Sequence, residues 1–291
     1  MPKINNLLHN KLTLGLIIII IVLIVGGVFA YQKFISSKDD SQILEEVDLP
    51  FDPEGPYALL YPRKDGNALV LNLKRTGSYD KISYDLAYVS EAEKSSESGE
   101  VPSGGIDRGV SGDINTKDKK GEYEQEILFG TCSKNVCKYD KGVENGTLTL
   151  HIQKGNHAYR MITQWHIQKP DIALGKLTSG DTHFIYQIDP NSTQLSLVDY
   201  SIINDLSGAP KLAGDKQILG KVYGVNAPVA KTMPFGQITI ELAENPPVDA
   251  KIARFDESLN KWIEMDTKIS GSTLTAKSDT AGIITVLSAT K

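Results

Sequence analysis

Beyond residue 55, apolar side chains alternate with polar or small ones along several stretches of the chain. The alternation is clearest at residues 69–73, 82–88, 148–152 and 159–167. Because successive side chains of a strand point to opposite faces of a sheet, each stretch predicts a strand with one buried and one wet face. After residue 47 no apolar stripe with helical spacing persists beyond two turns. The pattern therefore predicts an all-β fold.

The second half of the chain shows the same pattern in shorter runs. It predicts strands near residues 184–188, 195–203, 217–223, 238–242, 251–255, 261–265, 274–276 and 283–287. Turns are predicted at Asp65-Gly66, Asn145-Gly146 and Lys154-Gly155-Asn156, because glycine and asparagine adopt positive φ at low cost. Antiparallel sheets commonly bury their apolar faces by packing in pairs. The length then predicts two tandem antiparallel β-sandwich domains, at residues 55–170 and 171–291, with one barrel over the same residues as the alternative.

The longest apolar run lies near the start of the chain. From Leu12 to Ala30 the sequence reads LTLGLIIIIIVLIVGGVFA, with no charge and one polar side chain, Thr13. As a helix, residues 12–30 would span about 28 Å, close to the thickness of the hydrocarbon core of a bilayer. They are predicted to be a transmembrane helix in contact with lipid. Two interpretations remain open, an anchor that is retained or a secretory signal cleaved after Ala30, and the length of the run favours the anchor.

Flanking charge predicts the orientation of this segment. Lys3 and Lys11 precede it without any acidic residue, and positive flanks stay in the cytoplasm. Residues 1–11 are thus predicted to be a cytoplasmic tail. Residues 31–54 are polar, acidic and rich in proline at their end, which predicts a stalk. The remainder would be the extracytoplasmic part of a single-pass protein of the cell membrane.

The overall charge argues against one class of partner. The chain has 31 Lys and Arg against 36 Asp and Glu, a formal net charge of −5. Binding of nucleic acid needs a basic face, so nucleic acid is not an expected partner.

The chain has two cysteines, Cys132 and Cys137, which lie between two predicted strands. An extracytoplasmic compartment is oxidising, so a pair this close predicts a disulfide across a tight hairpin. A metal site or a redox dithiol is the alternative. The first would need further ligands nearby, and the second usually has two intervening residues.

Other candidate chemistry is incomplete. His151 and His157 flank a predicted turn and can meet across a hairpin, but two ligands make a poor metal site. The run that begins at Asp113, with Glu124 further along, resembles a calcium loop in part, yet Asp118 stands where glycine must make the sharp turn. The sequence contains no recognisable nucleophile motif. No cofactor is therefore expected, with a looser calcium site as the alternative.

Residues 91–121 are the least apolar stretch of the predicted extracytoplasmic part. Loops longer than about 12–15 residues are uncommon in compact domains and are usually functional or disordered. This stretch is predicted to be a mobile loop, with a partner-binding loop as the alternative. Its charged candidates for binding are Glu91, Asp107, Arg108, Asp113 and Asp118.

The C-terminal stretch has a family resemblance. Residues 250–287 read AKIARFDESLNKWIEMDTKISGSTLTAKSDTAGIITVL, with an acidic turn at 256–260 followed by Lys261-Trp262. A strand, an acidic turn, a Lys-Trp strand, a threonine-rich strand and a terminal apolar strand follow in order. This order resembles the closing hairpins of exported bacterial Ig-like surface proteins. The resemblance implies that the tandem sandwiches are Ig-like modules of the cell surface, and it carries no catalytic residues.

These features predict a membrane-anchored extracytoplasmic β-sandwich protein with a structural or binding role at the cell envelope. Its expected partner is an envelope protein or glycan, and it is not expected to be an enzyme. Two alternatives remain open. One is an enzyme that acts on envelope glycans through paired carboxylates. The other is an assembly subunit of a surface or secretion apparatus, which would need an open edge strand.

Overall fold

The fold consists of strands, as the alternating pattern predicts. The structure, a computed structural model, describes residues 45–49, 51–92, 104–117, 121–134, 136–168, 175–189, 199–228 and 233–290. In chain order its strands are β1 (Glu46–Asp48), β2 (Tyr57–Pro62), β3 (Ala68–Lys74), β4 (Lys81–Glu91), β5 (Gly105–Ile114), β6 (Glu122–Leu128), β7 (Gly130–Ser133), β8 (Val136–Tyr139), β9 (Asn145–Lys154), β10 (His157–Gln168), β11 (Lys176–Thr178), β12 (Phe184–Ile188), β13 (Tyr200–Ile203), β14 (Lys216–Asn226), β15 (Gly236–Glu241), β16 (Lys251–Asp256), β17 (Lys261–Glu264), β18 (Thr267–Ser270), β19 (Thr273–Ser278) and β20 (Gly282–Ala289). Over these residues the one helical element is a 3-10 turn at Thr76–Ser78. The all-β prediction is confirmed for the described part of the chain.

The described strands assemble into four sheets. The largest, here called the central sheet, has ten strands in the order β17-β16-β20-β14-β13-β10-β9-β4-β5, with β1 added in parallel to β10. The other sheets are three-stranded (β2-β3-β6), five-stranded (β11-β12-β15-β19-β18) and two-stranded (β7-β8).

The central sheet has an apolar core on each face. Ile202 and Ile203 are neighbours in β13, but Ile203 packs with the side chains of the three-stranded sheet and Ile202 with those of the five-stranded sheet. Ile283 and Ile284 of β20 divide in the same way. Because successive side chains of a strand point to opposite faces, the two cores lie on opposite sides of the central sheet. The described strands of residues 45–290 thus form three layers, with the central sheet in the middle.

Strands from before and after the predicted domain boundary at residue 170 lie in the same central sheet. It contains β4, β5, β9 and β10 from before residue 170 and β13, β14, β16, β17 and β20 from after it. Residues Glu45–Lys291 form one compact unit. The predicted domain boundary between residues 170 and 171 follows the end of β10, at Gln168, and residues 169–174 lie outside the described residues.

One face of the central sheet is only partly covered by the five-stranded sheet. On β4, β9 and β10 the side chains that point away from the three-stranded sheet remain in water, and among them Val89 and Ile162 are each 49% exposed. This surface of β4, β5, β9 and β10 is called the open face below.

Residues 105–114 correct the prediction of a loop at 91–121. They form β5, which pairs with β4 from Gly105 opposite Glu91 to Ile114 opposite Ile82. The sequence GIDRGVSGDI has glycines and charges in place of alternating large apolar residues, so its pattern did not indicate a strand. Backbone hydrogen bonds to β4 form without any such pattern. The loop prediction is therefore wrong for these residues, while residues 93–103 and 118–120 lie outside the described residues.

Two of the three predicted turns are confirmed. Gly66 and Gly155 have φ values of +73° and +57°, as their turns require. The turn at Asn145-Gly146 is wrong, because both residues belong to β9, with Gly146 opposite Trp165. A Cβ on Gly146 would lie 2.2 Å from the Trp165 ring, so this glycine is required by packing.

Residues 1–44 lie outside the described residues, and with them the predicted cytoplasmic tail, the predicted transmembrane helix at 12–30 and most of the predicted stalk. Within the part of the chain that the structure describes, no helix has the length and apolar character needed to cross a bilayer.

Candidate functional site

The charged residues predicted for partner binding lie along one edge of the open face. Glu91 ends β4, and Asp107, Arg108 and Asp113 are on β5. Asp118 lies outside the described residues. In the described part of the chain, β5 pairs only with β4 and is therefore an edge strand of the central sheet. The structure brings Asp107 and Arg108 to one cavity and leaves Asp113 at the far end of the strand.

The calcium-like run does not form a calcium loop. Its ends, Asp113 and Glu124, belong to β5 of the central sheet and β6 of the three-stranded sheet. An Asp113 carboxylate oxygen lies 3.6 Å from Lys81 Nζ, an exposed ion pair. Among the described residues, no group of three or more His, Cys, Asp and Glu side chains is placed to hold a metal ion.

The cavity that Asp107 and Arg108 reach, the open-face cavity, has a volume of about 490 Å³. This is within the usual range of about 300–1,000 Å³ for small-molecule sites. Its lining combines small apolar side chains of β4 with polar ones from β9, β10 and the loop after β13. The polar members are Asn145, Thr147, Gln164, His166 and Asn204.

Asn204 fixes one wall of the open-face cavity. This side chain is buried, its Oδ1 accepts a hydrogen bond from the Gly180 backbone N–H (2.7 Å), and its Nδ2 donates to Gln164 Oε1 (3.2 Å). Both the oxygen and the nitrogen of this side-chain amide therefore already have hydrogen-bond partners. The loop at Gly180, next to the five-stranded sheet, is thereby joined to β10, and the wall is held in one arrangement.

His166 adds a neutral hydrogen-bonding group. Burial lowers the pKa of the imidazole, and the nearby Glu144 opposes this only in part. The ring is therefore neutral at pH 7, and its Nδ1 is hydrogen-bonded to Asn145 Oδ1. Because that oxygen is an acceptor, Nδ1 carries the hydrogen and Nε2 is left as an acceptor.

The side chains of Tyr88, Arg108 and Trp165 point to the other face of the central sheet, since Tyr88 and Trp165 pack in the core beside the three-stranded sheet and Arg108 lies opposite Tyr88. Arg108 Nη2 lies 3.4 Å from Asp140, which also accepts a hydrogen bond from the Tyr88 hydroxyl (2.9 Å). Burial and this bond to Asp140 raise the pKa of Tyr88 to about 12, so the hydroxyl keeps its proton. The Trp165 ring stacks on Phe129 in that core, and among the described residues its buried Nε1–H has no hydrogen-bond partner.

A second cavity, the intersheet cavity, lies between the three-stranded sheet and the central sheet and has a volume of about 560 Å³. Tyr61, Asn72 and Glu124 line it from the first sheet, and Asn226 and Phe255 from the second. Sequence reasoning missed this cavity. Its residues come from strands far apart in the chain, and no local motif joins them.

The predicted disulfide between Cys132 and Cys137 is confirmed. The two residues lie opposite each other in β7 and β8, with their Cα atoms 4.0 Å apart. Both are exposed, and Val136 at the tip of the hairpin is 73% exposed. The disulfide therefore closes a short surface hairpin.

The two histidines considered as a metal pair have different neighbours. His151 lies between the carboxylates of Glu46 and Asp85, at 2.9 and 3.0 Å. The His157 ring instead stacks on Tyr159, with ring centroids 6.2 Å apart. A site formed by the two imidazoles is not assembled.

Comparison with models of known protein families finds no match, and comparison with curated proteins also finds none. Inference about function therefore rests on the chemistry of the two cavities and of the open face.

Proposed function

We propose that this chain is a membrane-anchored extracytoplasmic binding protein of the cell envelope. In this proposal, residues 12–30 hold it in the membrane, residues 31–54 are the stalk, and Ig-like sandwich modules with a shared central sheet present the open-face cavity to its ligand. The observation that carries the proposal is the cavity of about 490 Å³ on the open face, which is lined by the amides of Asn145 and Gln164 and by the imidazole of His166. Small-molecule sites combine an apolar lining with a few polar groups that fix the orientation of the ligand, as this lining does.

The ligand that best suits this lining is an envelope glycan. The amides of Asn145 and Gln164 contain donors and acceptors, and the neutral imidazole of His166 accepts through Nε2, which matches the hydroxyl and acetamido groups of sugars. The positive charge of Arg108, whose Nη2 lies 3.4 Å from Asp140, is already paired with the charge of that carboxylate. A cavity with little net charge and several fixed hydrogen-bonding groups favours a neutral, polar ligand.

Binding suits this cavity better than hydrolysis. Glycoside hydrolysis usually needs two carboxyl groups, one of them with a raised pKa. Asp107 is the one carboxylate in the lining of the open-face cavity, and it is exposed. Glu124 and Glu257 share the intersheet cavity, which is separate from the open-face cavity, and both are exposed to water.

One observation favours an assembly subunit as a second candidate. β5 is an edge strand whose residues are mostly exposed, and such an edge can accept a strand from another molecule. Asp107, Arg108 and Asp113 on this strand weaken the candidate, because charged side chains on an edge oppose strand addition.

Cross-linking of the full-length chain in native membranes tests the proposal. A photoreactive residue replaces Val89, which lines the open-face cavity, and in a matched control it replaces Ile269, an exposed apolar residue on the five-stranded sheet. We expect a glycan adduct from position 89 and none from position 269. Capture of a second copy of the chain through position 89 would favour the assembly subunit. Equal capture at both positions, or none, would contradict binding at the open-face cavity.

A further inference from the structure

The intersheet cavity carries acceptors that have no donors of their own. Its polar lining includes the amides of Asn72 and Asn226 and the carboxylates of Glu124 and Glu257. Of the described residues around it, Arg254 is the one basic side chain, and its guanidinium already contacts Asp256 (3.2 Å) and donates to the Phe255 carbonyl (3.4 Å). The lining is therefore rich in oxygen and poor in available donors.

Asn226 supplies the most deeply buried of these oxygens. The residue is 1% exposed, and its Nδ2 donates to Ser201 Oγ (3.2 Å). The Ser201 hydroxyl itself donates to the Leu60 carbonyl, so its hydrogen is committed and its oxygen can only accept from Asn226. This chain of bonds fixes which end of the amide faces Ser201. Asn226 Oδ1 is the atom left over, and it has no partner among the described residues.

Asn72 repeats the arrangement from the other sheet. Its Nδ2 donates to Glu124 Oε2 (3.3 Å). An ionised carboxylate only accepts, so the nitrogen of the amide must face Glu124 and the oxygen must face away. Asn72 Oδ1 is buried, and within the described part of the chain it too has no hydrogen-bond partner. The two cavity walls thus each present an acceptor whose donor is missing.

We propose that the intersheet cavity is a second binding site, for a small organic cation that carries N–H donors, such as a primary ammonium group. An ammonium brings three donors and no acceptor, which is what the two amide oxygens lack. Its charge is complementary to Glu124 and Glu257. Tyr61 and Phe255, which also line the cavity, offer aromatic faces for the cation and its methylene chain.

Other ligand classes fit this lining less well. A neutral diol gains little from the two carboxylates, and it brings acceptors to a cavity that already has an excess of them. A quaternary ammonium has the charge but no N–H to satisfy Asn72 and Asn226. Because each orphan oxygen exposes less than 1 Å² to water, a donor reaches it only after small movements of the surrounding side chains, which are common when ligands bind.

Calorimetric titration of the full-length chain in lipid nanodiscs tests this proposal with three probes that differ in charge and in N–H donors. These are 1,5-diaminopentane, 1,5-pentanediol and tetramethylammonium. Charge-assisted hydrogen bonds account for about tenfold or more in affinity, so the diamine should bind at least about tenfold more tightly than either control. No saturable binding of the diamine, or equal affinity for the diol or tetramethylammonium, would overturn the proposal.

Variants then place the binding in the cavity. Glu257→Gln and Glu124→Gln remove one charge each at exposed positions, and each should weaken diamine binding by about two- to fivefold. Glu244→Gln is the matched control, since Glu244 is exposed and does not line the cavity. Equal melting temperatures would show that all three variants fold. If Glu257→Gln and Glu124→Gln bind the diamine as tightly as Glu244→Gln does, the cavity is not the site.

Discussion

The imidazole of His151 binds the carboxylate of Glu46, with Nδ1 at 2.9 Å from Oε1. This contact joins β9 of the central sheet to β1, the first described strand of the compact unit. β1 has only three residues, and it pairs in parallel with β10. Asp48 adds a second link, 2.7 Å from Arg160. These two side-chain contacts therefore add to the short backbone pairing that holds β1 on β10.

Replacing His151 should loosen β1. In His151→Gln the imidazole contact with Glu46 is lost, and exposed side-chain pairs of this kind change a local opening equilibrium by about two- to fivefold. Hydrogen exchange of residues 45–49 in the full-length chain should accelerate by that factor. His157→Gln is the control, because His157 is exposed and contacts Tyr159 rather than β1. Unchanged exchange in His151→Gln would show that the backbone ladder alone holds this strand.

The half-buried His166 predicts a loss of stability in mild acid. Burial lowers the pKa of its imidazole below the usual value of about 6.5, so below that pH the unfolded chain binds a proton that the folded chain does not. The contribution of His166 to the free energy of unfolding should therefore be complete above pH 6.5 and should decrease as the pH falls towards the lowered pKa. Urea unfolding at several pH values measures this slope.

The control for that prediction is the variant His166→Gln, which keeps a hydrogen-bonding side chain but does not titrate. The other histidines are unchanged in it, so the difference between the two slopes belongs to His166. The variant should lose less stability than the original chain between pH 6.5 and 5. If both chains show the same slope, the folded state protonates this ring as readily as the unfolded state does.

The strands that sequence could predict are those whose side chains alternate. Phe184, Tyr186 and Ile188 point inward from β12, and the predicted bounds of this strand agree with the structure. β5 has no such pattern, because Gly105, Gly109 and Gly112 occupy positions where a central strand would carry apolar side chains. Pairing with β4 decides its conformation, and sequence spacing does not reveal that partner.

The cavities were even less accessible to sequence reasoning. Asp107 and Arg108 were selected for their charge, but the polar lining around them comes from Asn145, Gln164 and Asn204, on other elements of the chain. These side chains meet because β9, β10 and β13 are neighbours in the central sheet. The sharing of one sheet by two cores is a long-range property too, since it depends on the pairing of β10 with β13 across residue 170.

Loss of the disulfide should affect the surface hairpin more than the fold. A closed loop this short restrains the unfolded chain by about 2 kcal/mol at most in the entropic account. Cys132 and Cys137 are exposed and lie in a two-stranded sheet of their own, so the double variant to serine should melt only a few degrees lower. Reductant should lower the melting temperature of the original chain to that of the variant and leave the variant unchanged. Unfolding of the whole compact unit on reduction would contradict this prediction.

Gly146 should tolerate no side chain, although it occupies an ordinary strand position in β9. A Cβ there would lie 2.2 Å from the Ala87 carbonyl oxygen and 2.2 Å from Cζ2 of Trp165. Trp165 is buried in the core, so the ring cannot move away without disturbing its neighbours, and forced overpacking of this kind costs about 1–3 kcal/mol. Gly146→Ala should therefore lower the free energy of unfolding by at least that amount and reduce ligand capture at the open-face cavity, which Gly146 and Trp165 both line.

Gly214→Ala is the matched control, since a Cβ at Gly214 has no neighbour within 4 Å, and its stability should be unchanged or slightly higher. Equal stability of the two variants would contradict this prediction, because it would mean that the groups around Gly146 can shift to accommodate a methyl group.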